Sequence, residues 1–229
     1  MLPIVCVLKS GGWKNRNMHV EYGPDNVRWL RDQVRLHAGY EQSFYCLSDV
    51  EVAGVTTLKL QDDLPGWWSK LELFAAFGAA FYLDLDTALV GDIRHMLRPK
   101  QYKRLAVLRN LSAKESHRIG SGGMAWETEQ LHLYQEFMRN PQKHMAECVT
   151  PAKWGDQGFI QHCAKEHGGW DILQDKFPNQ ICSYKLDLLP QGAAPGPQTR
   201  IVCFHGEPRP WQVKHDWLLP PLDGTNKTD

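Results

Sequence analysis

The sequence predicts an α/β protein. Two observations carry that expectation. Short apolar runs, each long enough for one buried strand, alternate with stretches of helical spacing from the first residues onward. The apolar run Ala79–Leu83 also delivers an acidic pair, Asp84 and Asp86, at its carboxyl end, where open α/β sheets gather their functional groups.

The elements follow in order. Pro3–Leu8 (P-I-V-C-V-L) is a continuous apolar run, as a strand covered on both faces requires, and it runs into the flexible Lys9-Ser10-Gly11-Gly12. Asp25 reads as the cap of a helix with Val27, Leu30, Val34 and Ala38 on one stripe and Gly39 as its stop. Ser43–Leu47 is a second strand and Val55–Leu60 a third. Pro65-Gly66 is a turn, and Ser69-Lys70-Leu71-Glu72 matches a capping box opening a helix to about Phe77-Gly78. Ala79–Leu83 follows as a buried strand. A helix over about Thr128–Arg139 places Leu131, Tyr134 and Met138 on one face and stops at Asn140-Pro141. Another starts near Asp156, turns Phe159, Ile160 and Cys163 inward, and ends at Gly168-Gly169. Arg200–Phe204 is a late strand. Residues 1–218 read as one domain and Leu219–Asp229, proline-rich and then polar, as a frayed tail.

Composition narrows the function classes. The 229 residues carry 26 Lys+Arg against 26 Asp+Glu, so neither a globally basic nucleic-acid binder nor an acidic tail protein is expected. Hydrophobic residues make up 42%, enough for a sizeable core, which excludes wholesale disorder. Six cysteines without a C-x-x-C pair exclude a disulfide-stapled scaffold, a zinc ribbon and thioredoxin chemistry. Cys6, Cys46 and Cys203 sit in apolar runs as small buried hydrophobes, and a reduced, cytoplasmic compartment is expected. No apolar run is long enough to span a membrane. Met1–Leu8 lacks the basic start of a signal peptide. One segment departs from the neutral balance. Arg94–Arg118 holds eight basic residues against Glu115, either a solvated face balanced elsewhere in the fold or a docking surface for an anionic acceptor or a nucleic-acid backbone.

Four constellations can carry chemistry. Alternation in an extended chain puts Asp84 and Asp86 on one side with Leu85 turned into the core. Hard oxygen donors so placed suit Mg²⁺ or Mn²⁺, especially one shared with a diphosphate, although surface turns also make D-x-D. In Gly155-Asp156-Gln157-Gly158, Asp156 can cap the following helix, yet both polar groups would also sit on the open side of the sheet. Ser121-Gly122-Gly123 is either a plain turn or a place where backbone approaches a ligand closely. His205-Gly206-Glu207-Pro208-Arg209-Pro210-Trp211 follows a strand, so His205 can ligate a metal as a neutral imidazole and Arg209 can hold a diphosphate. Nine tryptophans are many for this length. Trp13, Trp67, Trp68, Trp126, Trp154 and Trp170 lie in or near loops, available for packing or for stacking on sugars and bases.

Taken together, the strand ending in D-x-D-T, the S-G-G segment, the G-D-Q-G helix start and the late H-G-x-x-R-P-W resemble glycosyltransferase family 8, which contains glycogenin and the lipopolysaccharide galactosyl- and glucosyltransferases. The resemblance spans Ile4 to Trp211. It implies the GT-A fold, a Rossmann-like nucleotide-diphospho-sugar transferase architecture with a mostly parallel central sheet flanked by helices. It further implies a retaining hexosyl transfer from a nucleotide-sugar, UDP-glucose or UDP-galactose, to an acceptor hydroxyl. By resemblance, Asp84 and Asp86 hold Mn²⁺ (or Mg²⁺) against the diphosphate, with His205 as third ligand. Lys70 lies near the nucleotide and donor sugar, and Ser121-Gly122 faces that sugar. Asp156-Gln157 sits beside the anomeric carbon; Gly206 and Arg209 approach the pyrophosphate; Lys9, Ser10 and Tyr22 meet base and ribose. Two departures stand out. The family pattern H-x-x-G-x-x-K-P-W sets its histidine two residues further from the glycine than His205 is from Gly206, and Arg209 replaces a lysine. A glycan is the family's usual acceptor, with a protein or a hydroxymethylated DNA base as alternatives.

Two competing readings remain. Asp84-x-Asp86-Thr87 after a strand also looks like the first motif of haloacid-dehalogenase-type phosphatases, but the residue four beyond Asp156 is Ile160, where that family needs an acid. A non-catalytic nucleotide-sugar binding module is the other.

Overall fold

The structure is a computed structural model. It describes residues 1–11, 13–15, 18–20, 22–112 and 117–221. Lys114 and Glu115 of the basic segment and residues 222–229 of the expected tail lie outside the described residues.

In chain order the elements are β1 (Ile4–Leu8), β2 (Trp13–Asn15), β3 (Met18–Val20), α1 (Pro24–Ala38), β4 (Phe44–Ser48), β5 (Thr56–Lys59), a 3₁₀ turn (Gly66–Glu72), α2 (Leu73–Ala76), β6 (Ala80–Leu83), β7 (Thr87–Leu89) and β8 (Leu105–Arg109). There follow β9 (Ile119–Trp126), α3 (Leu131–Arg139), α4 (Pro141–Glu147), β10 (Val149–Thr150), β11 (Lys153–Trp154), α5 (Gly155–Glu166), β12 (Trp170–Ile172), α6 (Leu173–Lys176), β13 (Ile181–Ser183) and β14 (Ile201–Cys203).

Seven strands form the central sheet in the order β12-β8-β9-β6-β1-β4-β5. It is mostly parallel: β9 alone runs against its neighbours β6 and β8. Period-two alternation divides the core between the two faces. Ile4, Cys6 and Leu8 of β1 pack with Phe81 and Leu83 of β6 against Val27, Leu30 and Val34 of α1. Val5, Ala80 and Tyr82 point the other way, toward Phe137 of α3 and Phe159 and Ile160 of α5. Chain order reverses at β1, with β4 and β5 laid down on one side and β6 on the other. Such a switch point opens a crevice beyond the carboxyl ends of the strands. A second, three-stranded sheet joins β13, β14 and β7, and in it Cys203 lies opposite Thr87. Residues far apart in the chain therefore meet beside the acidic pair.

Several local expectations are corrected. The cap of α1 is Gly23, whose N–H donates to the Asn26 side chain at 2.8 Å, and Asp25 lies in the first turn. Ser69 and Glu72 form no capping box. The Ser69 hydroxyl donates to the Gly66 carbonyl at 2.7 Å, and the Glu72 carboxylate accepts from the backbone N–H of Gln61 and Asp62 at 2.6 and 3.2 Å. Non-local partners win because the chain passes the loop after β5 directly over Glu72. The helix of the 130s starts at Leu131 and buries Leu133 and Phe137 rather than the Leu131, Tyr134, Met138 stripe. That helix does stop at Asn140-Pro141 as expected, and Pro141 then opens α4, with the Asn140 side chain accepting from the Lys143 N–H at 3.1 Å. The six cysteines are free, and Cys6, Cys46 and Cys203 are buried. Leu218 packs with Trp29 and Phe204, and the Trp29 indole N–H donates to the Leu219 carbonyl at 2.9 Å, so the chain stays anchored one residue past the expected domain end. Among the described residues no helix is long and apolar enough to cross a membrane.

Candidate active site

A cavity of about 420 Å³ opens at the switch point, beyond the ends of β1 and β6. Lys9 enters it from the end of β1 and Tyr22 from the segment before α1. Lys70 comes from the 3₁₀ turn, and Asp84 and Asp86 follow β6. Ser121 and Gly122 come from β9, Asp156 and Gln157 from the first turn of α5, and His205, Gly206 and Arg209 from the segment after β14. Ser10 does not line the cavity: its N–H and hydroxyl both donate to the Asp49 carboxylate at 2.8 Å. Lys9 is tied to the same side of the loop, 3.2 Å from Asp49 and 2.8 Å from Asp63.

The charges form two linked groups. The buried Lys70 ammonium stands 3.1 Å from Asp84 and 3.1 Å from Asp156, and 3.3 Å from the Ser121 carbonyl and hydroxyl. Burial alone would lower its pKa, but the Asp156 and Asp84 carboxylates outweigh that and raise it, so it stays charged. The Ser121 hydroxyl donates to Asp156 at 2.6 Å. Tyr82, below Lys70, donates to Asp84; burial and then that carboxylate keep it a neutral phenol. In the second group Arg209 pairs with Asp86, Tyr22 donates to the same Asp86 oxygen at 3.0 Å, and the Arg209 guanidinium lies over the Tyr22 ring. Burial pushes the Asp86 carboxyl up to about 6 against the pull of Arg209, with Asp84 adding to the rise.

Local backbone explains the motifs. Asp84 to Thr87 is a tight turn, with the Thr87 N–H on the Asp84 carbonyl at 3.1 Å, rather than an extended pair; both carboxylates still reach the cavity, and Leu85 is buried in the core as expected. Ser121-Gly122-Gly123 is not a turn but the middle of β9. A Cβ on Gly122 would stand 3.0 Å from the Asp84 carboxylate, and one on Gly123 would stand 3.3 Å from Leu108, so both glycines are demanded by a close approach. Asp156 does not cap α5, whose cap position is Trp154. Gly155 adopts φ +59° against the Trp67 ring, and a Cβ on Gly158 would fall 2.8 Å from the Lys153 backbone carbon.

Asp84 and Asp86, both lining the cavity, give a divalent cation two hard oxygen donors. These two residues fit a Mn²⁺- or Mg²⁺-class ion. His205 lines the cavity with its Nε2 2.7 Å from the Ser183 hydroxyl, and burial followed by Lys185 lowers its pKa, leaving a neutral ring. Arg209 lines the cavity, and its buried Nε has no hydrogen-bond partner among the described residues.

Sequence reasoning missed Tyr82, although period-two alternation from Asp84 places it on the cavity side of β6. Of the tryptophans, Trp67 and Trp154 line the cavity, whereas Trp68 and Trp126 are buried in the core. Three residues of the basic segment pair within the fold: Arg94 with Asp92, Arg104 with Asp171 and Arg109 with Asp175.

No protein-family profile matches the chain, and no curated protein matches it. Solved structures do. Over 92% of this chain, the glycosyltransferase GlyE of Streptococcus pneumoniae TIGR4 superposes with TM-score 0.61 at 15% identity, and this chain spans only 56% of its length. The galactosyltransferase LgtC, in complex with donor and acceptor sugar analogues, matches over 92% of this chain and 89% of its own with TM-score 0.56 at 11% identity. Mouse xyloside xylosyltransferase 1 matches over 90% and 97% with TM-score 0.50 at 13% identity. The central sheet and its flanking helices are thus those of the GT-A glycosyltransferase fold.

Proposed function

We propose that the chain is a metal-dependent glycosyltransferase of the family 8 kind, moving a hexose from a nucleotide-sugar, a UDP-hexose, to an acceptor hydroxyl, with retention. One observation carries the reading: Asp84, Asp86, Asp156, Lys70 and Arg209 are gathered from four chain segments into one cavity of this fold. Asp84 and Asp86 are the residues that would hold the ion; once bound, Mn²⁺ or Mg²⁺ supplies positive charge against the leaving diphosphate.

The rest of the reaction is assigned to the chain itself. Arg209, with an unpaired Nε, donates to diphosphate oxygens as negative charge builds on them. Lys70 bridges Asp84 and Asp156 and so sets the spacing between the diphosphate end and the sugar end of the cleft. Asp156 is held by Ser121 and Lys70 with little freedom to turn, which places its carboxylate, beside the Gln157 amide, to stabilise positive charge on the anomeric carbon. Gly122 leaves room for the Asp84 carboxylate. Trp67 and Trp154 offer ring faces to a sugar or base.

A glycan hydroxyl, the usual acceptor in the family the motifs resemble, is the acceptor this reading favours, with a protein or a hydroxymethylated DNA base as alternatives. The test incubates the chain with a panel of nucleotide-sugars and Mn²⁺, with and without glycan, protein and hydroxymethylated DNA acceptors. Metal-dependent release of nucleotide diphosphate and labelling of a glycan is the expected result. Release of inorganic phosphate from an aryl phosphate, or binding of donor without turnover, would overturn it.

A further inference from the structure

Away from the cleft, α3 and α5 bring His132, Cys163 and His167 together. One donor atom from each lies within 4.8 Å of the other two. Cys163 and His167 are one helical turn apart, so they project from the same face at the end of α5. His132 comes from the first turn of α3, and its ring stacks on that of His167 with centroids 4.2 Å apart. The His132 Nε2 is buried and has no hydrogen-bond partner among the described residues. The His167 Nδ1 lies 2.9 Å from the Cys163 carbonyl oxygen. A carbonyl can only accept, so that contact places the proton on Nδ1, which also stands 4.0 Å from the Cys163 sulfur, and leaves the Nε2 lone pair free; a small turn of the ring decides which nitrogen faces an ion.

Nothing in the transfer chemistry uses these groups. Asp156 sits at the opposite end of α5, and the helix between it and His167 spans about 16 Å at ~1.5 Å per residue. Two histidines and a thiol are borderline-to-soft donors, which favour Zn²⁺ and its neighbours over Mn²⁺ or Mg²⁺. We infer that His132, Cys163 and His167 form a second metal site, of the zinc class, that clamps α3 to the carboxyl end of α5. Three protein ligands leave a fourth position for water.

The test uses the full chain freed of metal and titrated with Co²⁺, then Zn²⁺. One equivalent of Co²⁺ should produce a thiolate-to-cobalt charge-transfer band that Zn²⁺ displaces. Cys163→Ala should abolish the band, and His132→Gln or His167→Gln should weaken binding by at least about tenfold, the size of loss seen even for outer-shell changes. Asp84→Asn/Asp86→Asn should leave the band unchanged. No band, a band that survives Cys163→Ala, or a band lost only with the acidic pair would each overturn the assignment. Where a variant fails to fold, anomalous diffraction from wild-type crystals soaked in Zn²⁺ decides: a peak among the three side chains supports the site, and its absence refutes it.

Discussion

The Ser121 hydroxyl donates to the Asp156 carboxylate at 2.6 Å across 35 positions of chain. The bond joins the middle of β9 to the first turn of α5, and the Lys70 ammonium closes the triangle from below. Asp156 is thereby held in place before any ligand arrives, which is the condition for a carboxylate that acts on developing charge rather than on ground-state binding.

Replacing Lys70 should be costly to the fold as well as to the site. Lys70→Met leaves the buried Asp156 and the partly exposed Asp84 without their shared cation, and removing the partner of a buried charge such as Asp156 destabilises by ~3–5 kcal/mol. Urea unfolding should show that loss. A Lys70→Met/Asp156→Asn double variant should recover part of it, because the uncompensated charge is gone.

The acidic pair and Asp156 should separate by kinetics. Asp84→Asn and Asp86→Asn should each abolish Mn²⁺-dependent donor hydrolysis, followed as nucleotide diphosphate released. Asp156→Asn should lower kcat with little change in donor KM; a raised KM at unchanged kcat would make Asp156 a binding residue.

Gly122→Ala should injure the site more than the scaffold. Its Cβ would press the Asp84 carboxylate at 3.0 Å, while the surrounding β9 ladder is intact. The expected outcome is a higher Mn²⁺ requirement at nearly unchanged Tm. Gly158→Ala should do the reverse. A Cβ 2.8 Å from the Lys153 backbone forces α5 off its seat, and overpacking of this kind costs ~1–3 kcal/mol.

Arg209→Lys keeps the charge and loses the planar fork. It should raise donor KM while largely preserving thermal stability. Arg209→Ala leaves the buried Asp86 without its cation and should also lower Tm.

Much of this arrangement was legible in the sequence, and the exceptions have physical reasons. The apolar run before Asp84, the stripe of α1 and the acid-glycine start of α5 are signals carried by neighbouring residues, and all three appear as expected. For Ser121-Gly122-Gly123 the sequence left a plain turn and a close backbone approach open, because a run of small residues allows either; the strand rules out the turn. What selects glycine there is Leu108 on one adjacent strand and Asp84 beside the other, neither of them near in sequence. The Ser69–Glu72 spacing misled, since the partners of Glu72 lie on a loop the local pattern does not contain. The family resemblance singled out Lys70 and Arg209 for the donor side of the cleft. It did not show that one bridges two acids and the other neutralises a buried third, because those relationships exist only once β9, α5 and β14 have docked.

The antiparallel seating of β14 beside β7 has a consequence for biosynthesis. During translation Asp86 emerges more than a hundred residues ahead of Arg209, the cation that accompanies it when buried. Until the ribosome has released β14 and Arg209, this acid has reason to stay hydrated and its pocket half-built. Ligand binding by the nascent chain should therefore begin abruptly, once Arg209 has emerged, rather than grow with chain length.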